Sequence, residues 1–169
     1  MRGITGGNPS SGLENDARPT KDTLRLWLRA LSFTSMVEQR VRSRLHADFD
    51  ITLPRFDLMA ALYDASEGLS MGEVSRRLMV SNGNVTGIVE RLAREGLVWR
   101  WRNPDDRRSQ LVRLSDSGRV TFEEMAEAHE DWIASMLSGL NEEEVEQLKH
   151  LIGKAKRSVL SSDGEEEGQ

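Results

Sequence analysis

The side chains best suited to chemistry lie between Ser70 and Leu114, and their types favour contact over catalysis. Ser81-Asn82-Gly83-Asn84-Val85-Thr86-Gly87 sets Asn82, Asn84 and Thr86 around one apolar residue, Val85. Asparagine can pair with an adenine edge in two places, and threonine can meet a thymine methyl or a phosphate. Ser81 and Arg91 bracket the stretch. Further on, Asp105-Asp106-Arg107-Arg108-Ser109 forms a turn whose two arginines suit a narrow, strongly negative groove. Asp106 beside them either holds an arginine or repels phosphate, depending on geometry.

Net charge is −5, which by itself argues against a polyanionic partner. The distribution reverses that argument. From Ser70 to Leu114 there are nine arginines against five carboxylates, a local charge of +4. From Ser115 to Leu140, Arg119 stands alone against six carboxylates, a local charge of −5. Attraction to nucleic acid depends on the local patch. A merely solvated face does not explain why the sign changes where the second strand of the hairpin ends.

The elements that must position these residues are legible from periodicity. Met1 to Pro19 is rich in Gly, Ser, Asn and Pro and reads as a disordered arm, as does the acidic tail 161–169. A first helix covers about Lys21 to Asp48, with Leu24, Trp27, Leu28 and Leu31 on one stripe and Val37, Val41 and Leu45 on another. Thr52-Leu53-Pro54 starts a second helix, expected to stop near Glu67-Gly68. Ser70-Met71-Gly72-Glu73 is a capping box that opens a third, burying Val74 and Leu78. Ser81 caps a fourth, with Val85, Ile88, Val89 and Leu92 on its core face and Gly96 just past its end. Leu97–Arg102 and Gln110–Leu114 alternate as a β-hairpin around Asn103-Pro104-Asp105-Asp106. Two more helices follow, capped by Ser115 and Asn141. The stripe Val145, Leu148, Ile152, Ala155 and Val159 on the last fits either its own chain or a second subunit.

Gly83 and Gly87 lie one turn apart within the fourth helix. Each costs roughly 0.5–1 kcal/mol relative to alanine. Two such losses in a short helix point to a bare face, for close approach to nucleic acid or for packing against another element of the protein.

LPRFDLMAAL, GLSMGEVSRRLMVSNGNVTGIVERLAREGLV and DDRRSQLVRLSDSG together resemble the MarR family of winged helix-turn-helix regulators. The resemblance covers about Leu24 to Leu160 and implies a mainly α fold with one β-hairpin wing. It implies a winged helix-turn-helix lobe at 51–114 and a helical dimerisation region from 20–50 and 115–160. It further implies a homodimer on a pseudo-palindromic stretch of double-stranded DNA, with recognition helices in major grooves and wings in minor grooves. Most members repress, and small ligands release them. Carried over residue by residue, Asn82, Asn84 and Thr86 contact bases and phosphates, and Arg108 is the wing arginine. Glu90 takes the acidic position that pairs with that arginine. Gly87 departs from the long side chain many members carry, which implies a distinctive operator. SNGNVTG is similar to a subset tied to aromatic-acid catabolism, implying an aromatic acid or its CoA thioester as effector. The resemblance places the effector pocket between dimerisation helices and DNA-binding lobe, where Trp27, Met36, Arg40, Arg44, His46, Phe56, Met59 and Tyr63 are candidates. Arg40, Arg44 and His46 suit a carboxylate or phosphate. Trp27, Phe56 and Met59 also fit plain core positions, and His46 a solvent-facing helix end.

Other classes find little support. With no cysteine, disulfides, thiolate zinc sites and thiol redox chemistry are excluded. His129 and His150 lack ligand partners at metal spacing, so neither metal nor cofactor is expected. No phosphate loop, nucleophile elbow or metal-spaced His/Glu pair argues for an enzyme. No apolar run is long enough for a membrane span and no secretory signal pattern opens the chain, so a cytoplasmic place is expected. A winged-helix module that binds protein instead of DNA is the alternative, and it predicts an uncharged wing tip, unlike Arg107 and Arg108.

Overall fold

A computed structural model describes residues 21–104, 106 and 109–162. The elements run α1 (Lys21–Phe49), α2 (Leu53–Tyr63), β1 (Leu69–Ser70), α3 (Met71–Leu78), α4 (Asn82–Arg94), β2 (Val98–Arg102), β3 (Gln110–Leu114), α5 (Asp116–Met136) and α6 (Glu142–Ser162). The chain divides into two units, Met1–Met36 and Val37–Gln169. In the first, the described residues are turns of α1 on which Leu24, Trp27, Leu28 and Leu31 are exposed.

The second unit is built on one apolar cluster. Val41 and Leu45 of α1, Leu58, Met59 and Leu62 of α2, and Val74 of α3 contribute to it. Val85, Val89 and Leu92 of α4, Val98 and Val112 of the hairpin, and Phe122, Met125 and Trp132 of α5 complete it. Alternation decides the faces of the hairpin. Val98 pairs with Leu114 and Arg100 with Val112, and this face carries the buried residues. Trp99 and Trp101 fall on the other face, and Trp99 stays 58% exposed.

Two features of this unit depart from the sequence expectation. α2 ends at Tyr63, before Gly68. The chain must turn early because Leu69 and Ser70 pair with Val112 and Leu111, adding a third strand in the order β1-β3-β2. Gly68 sits at φ +83°, where a Cβ would lie 2.8 Å from both the Trp101 ring and the Val112 carbonyl oxygen. Ser81 has the extended N-cap backbone but makes no side-chain cap bond.

Thr52 likewise has the extended N-cap backbone of α2 without a side-chain cap bond, whereas the caps at Ser70, Gly96 and Ser115 are in place. Ser70 Oγ accepts from the Glu73 N–H, and Glu73 Oε2 accepts from the Ser70 N–H at 2.8 Å. Gly96, at φ +75°, turns the chain out of α4. Ser115 is buried; its N–H donates to the Leu97 carbonyl, its hydroxyl donates to the Gly96 carbonyl, and its oxygen accepts from the Gly118 N–H.

Gly118 has no room for a side chain, since a Cβ would stand 1.9 Å from the Leu97 carbonyl oxygen. Gly118→Ala should therefore lower stability by about 2–3 kcal/mol, as overpacking against backbone does, read by urea unfolding. Ser70→Ala should cost about 1 kcal/mol as a lost N-cap. The Ser70 side-chain and backbone bonds hold the Glu73 carboxyl below its usual range. The stability Glu73 contributes is thus present above the unfolded carboxylate pKa and is lost as pH falls through the lower folded value. Ser70→Ala should flatten that acid limb of the stability–pH curve.

Candidate nucleic-acid interface

α3 and α4 meet at a tight turn made by Met79, which adopts the left-handed region at φ +53°. Val85, Val89 and Leu92 are fully buried along one side of α4. That burial pins the helix and turns Asn82, Gly83, Asn84, Gly87, Glu90, Arg91 and Arg94 outward. Ser81 is exposed at the start. Thr86 is half-buried, and its hydroxyl donates to the Asn82 carbonyl at 3.0 Å. What Thr86 offers a partner is an acceptor oxygen and a methyl.

A Cβ on Gly83 or on Gly87 would meet nothing within 4 Å. Neither glycine is therefore explained by close packing within the described chain. Both line a groove of about 580 Å³ with Thr52, Arg55, Arg91 and Arg94. A second notch of about 480 Å³ opens between the start of α3, Thr86 of α4 and the wing residues Arg100 and Gln110.

The wing is an antiparallel ribbon of β2 (Val98–Arg102) on β3 (Gln110–Leu114). Asn103 N–H donates to the Ser109 carbonyl, and Ser109 N–H to that of Asp106 at 2.9 Å, narrowing the ribbon towards its tip. Arg107 and Arg108, the candidate minor-groove residues, lie outside the described residues, as does Asp105. Glu90 lies 3.9 Å from Arg100 of β2; its expected partner Arg108 is outside the described residues. The Arg100 guanidinium also donates through Nε to Gln110 Oε1 at 3.2 Å, so one arginine links α4 to both strands. On the outer face Arg113 lies over the Trp101 ring at 5.7 Å.

Among the effector candidates, Trp27 and Met36 belong to the first unit and are exposed. Arg40, Arg44 and His46 are exposed on the second part of α1, and His46 lies 3.5 Å from Asp50. Phe56 and Met59 are core residues. Phe56 packs on Phe122 at 5.5 Å and on His129 at 5.1 Å. Tyr63 packs on Phe122, donates its hydroxyl to Glu123 and lies under Arg119 at 4.5 Å. Arg44 sits over Trp132 at 5.7 Å. The candidates on α2 thus join an aromatic row that α5 supplies. Asp57 beside this row is half-buried; burial first and Glu38 second push its carboxyl up, against His129 and Arg42. Sequence reading missed Asp57, and it missed Arg55, a buried cation inside the apolar run Leu53-Pro54-Arg55-Phe56. A charge inside such a run was the available signal.

Comparison with known proteins agrees with this geometry. Residues 51–110 match the model of the MarR family. The uncharacterised helix-turn-helix-type transcriptional regulator YkoM of Bacillus subtilis is 30% identical over 142 residues, covering 84% of this chain and 89% of that protein. The transcriptional regulator BldR of Sulfolobus solfataricus superposes with a TM-score of 0.73 at 24% identity, over 83% of this chain and 99% of its own. A mutant of Escherichia coli MarR complexed with operator DNA superposes at 0.70 and 24% identity, over 82% and 99%. The helix-turn-helix, its hairpin wing and a relative matched over most of both lengths place this chain in the MarR family of transcriptional regulators.

Proposed function

We propose that the protein is a homodimeric repressor that binds a pseudo-palindromic stretch of double-stranded DNA in the cytoplasm and is released by a small ligand. The observation that carries this reading is the outward face of α4, where bare glycines lie between asparagines and arginines. In this reading Ser81, Asn82, Gly83, Asn84, Thr86, Gly87 and Arg91 meet the major groove, and Arg107 and Arg108 the minor groove. Glu90 and Asp106 support the wing. Residues 51–114 form the DNA-binding lobe, and 20–50 with 115–160 the dimerisation region. A protein with the same fold has been crystallised on operator DNA. No step of this function needs catalysis.

A second copy of the chain is favoured by what α6 leaves uncovered. Leu151 and Ile152 are 59% and 56% exposed, and Val159 and Leu160 more so. Apolar area on that scale is costly in water and typical of a subunit interface. A dimer must hold its two recognition helices about one helical turn, roughly 34 Å, apart. A ligand that prefers another spacing lowers DNA affinity by its differential affinity for the two states. The aromatic row along α2 and α5, with Arg40, Arg44 and His46 on α1, suits an aromatic acid or its CoA thioester.

Three measurements test this. Binding to random-sequence duplex should weaken steeply with salt, linearly on logarithmic axes; a flat dependence overturns DNA binding. Gly87→Ala should raise helix stability by roughly 0.5–1 kcal/mol while lowering DNA affinity. Higher stability with unchanged affinity and site preference removes the close-approach argument. A thermal-shift screen of aromatic acids and their CoA thioesters should find compounds that also lower DNA affinity, and equal affinity for free and DNA-bound protein excludes each compound so tested.

A further inference from the structure

The groove beside α4 carries a charge that base reading does not use. Arg55, in the first turn of α2, is only 8% exposed, yet it lines the groove with Thr52, Arg91 and Arg94. One end of its guanidinium meets Glu95, the C-cap residue of α4. Its Nε is buried and has no hydrogen-bond partner among the described residues. Burial first, and then repulsion from Arg91, lower its pKa, against attraction from Asp50. A guanidinium remains charged under such a shift.

The rest of the groove has the same polarity. Three arginines line it against one carboxylate, Glu90, which lies towards Arg100. The Arg91 side chain makes no ion pair or hydrogen bond among the described residues, and the Arg94 side chain donates only to a backbone carbonyl in its own helix. Thr52 is the N-cap of α2, its side chain makes no cap bond, and the first turn of that helix has no acidic residue. Pro54 brings no N–H to that turn and the Arg55 N–H donates to the Thr52 carbonyl, so what Thr52 offers an anion is its hydroxyl, beside the positive end of the helix dipole. Like charges lining one groove repel until an anion enters between them, and Arg55, though paired with Glu95 at one end, keeps an unpartnered buried Nε–H where little water screens it.

We propose that this groove seats one backbone phosphate of duplex DNA, held by Arg91 and Arg94 at its rim and by the Thr52 hydroxyl, with Arg55 beneath as the charge that draws it in. This rests on the DNA-binding reading above and adds three residues to it: Thr52, Arg55 and Arg94. Arg55 acts here as a positioning residue for the phosphate. The bare face of Gly83 and Gly87 borders the same groove, so a strand pressed against α4 passes over the seat.

The test is a salt titration of the full chain on labelled random-sequence duplex, comparing wild type with Arg55→Met, Arg55→Lys and Arg94→Gln. Lys149→Gln on α6 is the control with the same change in net charge. Arg55→Met and Arg94→Gln should each bind about three- to tenfold more weakly near 0.1 M salt, with a logarithmic slope shallower by about 0.9 per occupied groove. Arg55→Lys should keep most of the slope and Lys149→Gln should match wild type, whereas a purely structural role for Arg55 predicts a wild-type slope in every folded variant. Arg94 is exposed, so its variant reports on the seat even if Arg55→Met fails to fold. Wild-type slopes in Arg94→Gln and in folded Arg55→Met overturn the phosphate seat while leaving DNA binding intact. A wild-type protein without salt-dependent binding overturns DNA binding itself.

Discussion

The fold of the helix-turn-helix and its wing depends on a single joint around Ser115. Its backbone and hydroxyl bind the carbonyls of Leu97 and Gly96, and its oxygen caps α5 through the Gly118 N–H. One residue thereby closes the exit of α4, the start of β2, the end of β3 and the start of α5. The contact leaves no room for a Cβ at Gly118. Because Ser115 is buried, its polar groups depend on protein partners, with the Ser117 hydroxyl reinforcing the bond to the Gly96 carbonyl from the exposed side. The angle between recognition helix and wing is set by this joint, with Arg100 as a second tie further out along the ribbon.

Electrostatics obey the same architecture. The basic segment and the acidic helix after it meet at Ser115, so the change of sign along the sequence marks the end of the wing. The ion pair of Arg55 with Glu95 joins α2 to the C-terminus of α4. It fixes the far end of the recognition helix, as the joint fixes the wing and α5 beyond it. Buried ion pairs add little net stability compared with apolar packing. The contribution of this one is to place α4 and the charge beneath it.

Much of this was legible in the sequence because it rests on local rules. The capping box at Ser70 and Glu73, the glycine at 96 and the core stripe Val85, Val89 and Leu92 each depend on neighbours within about one turn. What stayed hidden depends on distant partners. The two-residue strand Leu69–Ser70 exists only because β3 pairs with it. The alternation of β2 was plain, but only the core decides that valine faces inward and tryptophan outward. The family resemblance brought Glu90 to a wing arginine, and Arg100 of the wing lies 3.9 Å from it, a pairing across elements that spacing along the chain does not reveal. Arg55 went unremarked in the sequence because its burial needs α4, through Glu95, to pack across it.

The composition of α4 has a consequence for its motion. Its N-terminal half contains two glycines, an N-cap serine without a side-chain bond, and a threonine bonded back to its own first turn. Its C-terminal half is anchored by Val89, Leu92 and the Glu95 ion pair. Amide protons in the first turns should therefore exchange with solvent through local opening well below the free energy of global unfolding. The half of α4 that carries the proposed DNA contacts, held to the core through Val85, is thus anchored more weakly than the half that ends at Glu95. Association then includes the cost of ordering it, and that cost makes affinity sensitive to how well a given DNA sequence fits.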